Sequence, residues 1–133
     1  MVALCETTST VCSGWATTSP SQFDPEQLIA SVRRIVALRP ESLYLTHYGR
    51  VSGVERLGAS LEAQLTRFVH IAKQNAAAPD RKLRIQAALR AYWLEVLEQH
   101  GAPAAAVDDL LAGDLELNAQ GLVAWLERGE RGR

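Results

Sequence analysis

Between Val51 and Arg128 the apolar residues recur at steps of three and four, and the pattern is interrupted only by helix-stopping residues. Val54, Leu57, Leu61, Leu65, Phe68 and Ala72 form one stripe of a helix expected from about Val51 to Ala77, which Pro79-Asp80 breaks. A second helix, from about Asp80 to His100, buries Leu83 or Ile85, then Leu89, Tyr92, Trp93 and Val96. Gly101 follows where a left-handed residue is wanted at a helix end. A short helix around Ala104 to Ala112 is expected to stop at Gly113, and a last one runs from about Leu115 to Arg128 with Leu122, Val123, Trp125 and Leu126. Stripes of this kind commit the chain to a mainly α fold.

One more helix opens upstream, at Phe23-Asp24-Pro25-Glu26. The Asp24 carboxylate can accept from the orphan amides of the first turn, and Pro25 sits at the first helical position, where a missing N–H costs nothing. Phe23 before the cap could staple onto Leu28 or Ile29. Leu28, Ile29, Val32, Ile35 and Val36 follow opposite Arg33 and Arg34, and Pro40 ends the helix by restricting Arg39. Leu43 to Thr46 then reads as a strand bounded by Pro40 and Gly49. The expectation is about five helices with one or two short strands. A helix feeding a short strand suggests an α/β crossover, for which the strand needs a neighbour. The segment before Phe23 is the one candidate for that neighbour within the chain.

That segment differs from the rest, being rich in Ser and Thr and poor in charge. Thr8 to Thr17 reads equally as loop or irregular edge strand. Cys5 and Cys12 both lie here and read as free thiols. MVALCETTSTVCSGW lacks a basic n-region and an apolar run of signal-peptide length, so a cytoplasmic location is expected. With 133 residues, 22% charged, and a net charge of -1 without a basic stripe, nothing favours nucleic acid, and no apolar run is long enough for a membrane span.

Of the three histidines, His47 stands at the exit of the strand-like segment SLYLTHYGRV, followed closely by Gly49. α/β folds gather ligands at strand ends, and a neutral imidazole there can bind a metal; it can equally hydrogen-bond a loop carbonyl. His70 reads as a boundary residue of a helix, and His100 as a residue complementing a helix C-terminus. There is no H-x-H, H-E-x-x-H or C-x-x-C, no nucleophile elbow around Ser13 or Ser52, and no phosphate loop at Gly49, Gly53 and Gly58. Glu95, Glu98, Asp108, Asp109 and Asp114 read as solvated charges, and Trp93 and Trp125 as core anchors.

Taken together, TTSPSQFDP (Thr17 to Pro25), LYLTHYGRV and the helices ending in ELNAQGLVAWLER resemble the C-terminal portion of bacterial metallo-β-lactamase-fold hydrolases, in the glyoxalase II-like branch. The likeness runs from about Thr17 to Arg128. It implies a remnant of an αββα fold in which two zinc ions serve hydrolysis of an ester, thioester or lactam-type bond. It also implies that His47, in the L-T-H-x-G-like motif, corresponds to the last metal-binding histidine. The family's H-x-H-x-D-H motif, its middle histidine and its bridging aspartate have no counterpart here. His47 is therefore the one metal ligand that carries over, with zinc held weakly or not at all, and no catalytic residue can be assigned.

The resulting partition is an irregular segment (1–16), a β-α-β-like remnant of the hydrolase sheet (17–50), a helical region (51–128) and a disordered tail (129–133). The alternative is a non-catalytic helical interaction module. In either case a protein partner or self-association through an exposed sheet face is expected.

Overall fold

The structure, a computed structural model, describes residues 16, 18, 22–46, 49–99 and 105–132, with the side chains of the last stretch described from residue 113 onward. The described order is α1 (Pro25–Ala37), β1 (Ser42–Leu45), β2 (Gly49–Ser52), α2 (Val54–Asn75), α3 (Arg81–Gln99) and α4 (Ala105–Arg131). The chain is mainly helical. Its contacts divide it into two compact units: Val2–Ala16 with Asp24–Thr66, and Thr17–Phe23 with Arg67–Arg133, Met1 being grouped with the latter.

In the first of these units, α1 begins as its residues dictate. Asp24 is extended (φ -130°), and its Oδ1 accepts the N–H groups of Glu26 and Gln27 at 3.1 and 3.0 Å. Oδ2 accepts from Gln27 Nε2 at 2.8 Å, so both carboxylate oxygens are used in capping. The helix closes at Leu38, and Arg39 takes the left-handed position (φ 49°) that glycine usually fills. Gly58 of α2 lies against α1: a Cβ built there would come within 2.5 Å of Val36 Cγ2. Arg33 and Glu62 join the same two helices through a two-pronged ion pair.

Among the described residues β1 enters no α/β crossover. It pairs antiparallel with β2, in the register Ser42↔Ser52, Leu43↔Val51, Tyr44↔Arg50 and Leu45↔Gly49. The strand's neighbour among the described residues is therefore the segment just after it, and Ala16 and Thr18 lie in no strand. A hairpin satisfies the backbone groups locally, which a crossover could do only with distant strands. The alternation places Leu43, Leu45 and Val51 on one face and Tyr44 and Arg50 on the other. Gly53, with φ 68°, makes the turn from β2 into α2, and its carbonyl accepts the N–H of Leu57 at 3.0 Å.

In the other unit, Phe68, Ile71 and Ala72 of α2, Ile85, Leu89, Trp93 and Leu97 of α3, and Leu115, Ala119 and Leu122 of α4 are buried. Ile85 takes the core position for which Leu83 also qualified by spacing; Leu83 remains 67% exposed. Phe68 meets Tyr92 and Trp93 edge-on, at centroid distances of 6.0 and 6.2 Å. Asp80 accepts from Arg84 Nε at 2.7 Å across the first turn of α3.

Two expectations fail in α4. Gly113 does not end a helix, so four helices are described where about five were expected. An isolated glycine costs a helix only about 1 kcal/mol, and no proline follows to enforce a stop. The segment 129–133 is not a wholly disordered tail either, since α4 continues to Arg131. Arg81 holds its last turns, donating to Glu127 Oε1 at 3.1 Å and to Glu130 Oε1 at 2.9 Å.

Candidate functional site

His47, the one metal ligand carried by the resemblance, lies outside the described residues, as do Tyr48 and His100. What is described brackets it: Leu45 and Gly49 are a register pair, Thr46 is exposed, and Gly49 has a left-handed φ of 72°. His70 is exposed on α2. Cys5 and Cys12 also lie outside the described residues. Among the described residues, no three His, Cys, Asp or Glu side chains gather where they could hold a metal ion. The described donors therefore do not by themselves make the zinc pair that the resemblance implies.

Several charged groups among the described residues are engaged in structure. Arg33 is the chief cause, by hydrogen bond, of a lowered pKa at Glu62, and Lys82 does the same to Glu116 across a 3.1 Å contact. Burial pushes the Tyr92 phenol up, against the pull of nearby Arg67. Such a phenol stays protonated and offers no nucleophile. Glu95 and Glu98 are exposed, as a solvated role requires, and Asp114 is half-buried; the side chains of Asp108 and Asp109 lie outside the described set. Trp93 is a core residue, whereas Trp125 is half-buried, with Phe23 edge-on at 6.3 Å and Lys73 Nζ 6.0 Å from its ring centre.

Two features stand out. The first is apolar surface along α1 and β1: Leu38 and Tyr44 are each 80% exposed, and Ile35 and Leu45 are 43% and 41% exposed. The second is a buried polar cluster on α4. Thr18, with no exposed surface, donates its N–H to Asn118 Oδ1 at 2.6 Å and its hydroxyl to the Asn118 carbonyl at 2.9 Å. Asn118 is itself buried, and Gly121 one turn on leaves room for the Thr18 backbone. Sequence reasoning missed this cluster. Its visible trace is an asparagine and a glycine three apart inside the apolar pattern of ELNAQGLVAW.

No protein-family profile matches the chain, and no curated protein or solved structure does so either. No described helix is long and apolar enough to cross a membrane.

Proposed function

We propose that this chain is a C-terminal portion of a metallo-β-lactamase-like, metal-dependent hydrolase, acting in its full form on an ester, thioester or lactam-type bond and inactive as this chain alone. The observation that carries the reading is the bareness of the hairpin and the helix before it. A two-stranded hairpin is marginal by itself, yet β1 leaves Tyr44 and Leu45 exposed beside the exposed Leu38. A remnant of a larger sheet would have such a surface, because further strands would have covered it. The Asp24-capped helix, then β1, then Thr46-His47 in the sequence keep the order of the motifs behind the resemblance. His47 is then the sole remaining zinc ligand. The test is hydrolysis of a chromogenic thioester and of a lactam, with and without added zinc, by the chain and by His47→Ala. The reading expects no turnover above buffer from either protein. Zinc-dependent turnover that disappears in His47→Ala would overturn it.

A second reading, a non-catalytic helical interaction module, draws support from the unit containing α3 and α4. That unit has a buried apolar core and an internal polar cluster of its own, and it leaves Leu83 and Leu117 exposed. Light scattering and thermal unfolding separate the two readings. A monodisperse chain with one sharp transition favours the module, whereas aggregation through the bare hairpin favours the remnant.

A further inference from the structure

β1 and β2 make up a sheet of two strands, and among the described residues no hydrogen bond outside the hairpin's own ladder reaches residues 42–46 or 49–52. In an antiparallel pair, alternate residues exchange main-chain bonds with the partner strand, and the others turn their N–H and C=O outward. β1 therefore presents a row of donors and acceptors, at strand spacing, along an open edge. Water satisfies such a row, and so does another extended chain. A helix cannot, because its main-chain groups are already bonded to one another.

The side chains narrow the choice of chain. On one face of the hairpin stand Leu43 and Leu45, with Val51 across from Leu43, and Leu45 is exposed. On the other face stand Ser42 and Tyr44, with Ser52 and Arg50 directly opposite them. Tyr44 and Arg50 are both exposed. Neither strand carries an acid, and Arg50 has no acidic partner among the described residues. The Tyr44 face thus holds a positive charge with nothing negative to meet it. β2 offers the poorer edge, since Gly49 interrupts the extended run with its left-handed φ of 72° and Val51 is the strand's one apolar side chain.

We propose that the open edge of β1 receives an extended segment of another protein as a third strand, with apolar side chains on the Leu43–Leu45 face alternating with acidic ones on the Tyr44–Arg50 face. Main-chain bonds supply the attachment, and the alternating side chains supply the choice of partner. A glutamate beside Tyr44 would lie two strand spacings, about 10 Å, from Arg50, a gap that the two long side chains close together. A second copy fits less well, because β1 paired with β1 brings Ser42 and Tyr44 to the face that calls for an acid. Binding of this kind needs only the open edge and does not depend on the hydrolase reading.

The test is an NMR titration of isotope-labelled full-length protein with a short peptide that alternates valine and glutamate. Chemical-shift changes should gather in residues 42–52. The same peptide N-methylated throughout, which removes its main-chain donors, should bind about tenfold more weakly. A peptide alternating valine and lysine should bind about fivefold more weakly than the glutamate peptide, and Arg50→Glu should reverse that order. Arg50 is exposed, so circular dichroism of Arg50→Glu should match wild type. Absence of binding by the glutamate peptide overturns the proposal. So does equal affinity for the N-methylated peptide, or a preference between glutamate and lysine that Arg50→Glu leaves unchanged. Concentration-dependent shifts in residues 42–52 of the free protein that the peptide cannot displace also overturn it, since the edge would then be taken by a second copy.

Discussion

Asn118→Ala should be among the costliest single changes in α4, for a reason its burial makes plain. The substitution removes the acceptor of the Thr18 N–H, and Thr18 has no exposed surface, so water cannot replace the lost partner. A buried donor left unsatisfied costs about 1–3 kcal/mol, while the Thr18 hydroxyl keeps the Asn118 main-chain carbonyl as its acceptor. Full burial of Thr18 puts the cost in the upper part of that range, about 2–3 kcal/mol. Thr18→Val is the informative partner. It removes the hydroxyl but keeps the N–H, the shape and the Asn118 side chain, and should cost only about 1 kcal/mol. With a urea m-value of about 2 kcal/mol/M, the midpoint should fall by about 1–1.5 M for Asn118→Ala and by about 0.5 M for Thr18→Val. Tryptophan fluorescence and circular dichroism at 222 nm report the transition. Equal shifts would refute the reasoning, because the hydroxyl would then matter as much as the main-chain amide in holding Thr18.

Gly121→Ala should destabilise by about 1–3 kcal/mol, since the added Cβ meets the Thr18 backbone, whereas Gly113→Ala meets nothing and should gain about 0.5–1 kcal/mol in the same urea titration. Arg39→Gly should raise the melting temperature, as glycine removes the cost of about 1–2 kcal/mol of placing an L-residue at φ 49° and gives back part of it as chain entropy. The pH profile should follow Glu62, Glu116 and Asp80, whose pKa values the partners Arg33, Lys82 and Arg84 lower. A carboxylate lowered on folding stabilises above its unfolded pKa and loses that effect as pH falls through its folded one. Melting temperature should therefore hold at neutral pH and fall below about pH 4.5, and Arg33→Gln should make that fall shallower.

Local chemistry was readable where the deciding atoms are close in sequence. Asp24 and Pro25 fixed the start of α1 because the cap bonds reach only two and three residues ahead. The hairpin was not readable in the same way. β2 is Gly-Arg-Val-Ser, with one apolar residue in four and no alternation strong enough to mark a strand; its pairing with Leu43 and Leu45 supplies what its own pattern lacks. Gly113 misled because a glycine is only a weak stop, and a 27-residue helix with many buried contacts outweighs it. The choice between Leu83 and Ile85 was open because both spacings suit a helix, and only packing decides it. The Thr18–Asn118 cluster was the least legible feature, since the two residues stand 100 positions apart and neither belongs to a recognisable local motif. The reading of His47 rests on the residues around it in SLYLTHYGRV and on the resemblance they carry.

The most direct test of the functional account is a zinc titration of the purified chain against a chromophoric chelator, run beside His47→Ala. The account predicts weak binding, easily stripped by the chelator, that diminishes further when His47 is replaced. Tight binding of one or two zinc ions per chain would contradict it, because a single histidine cannot hold them.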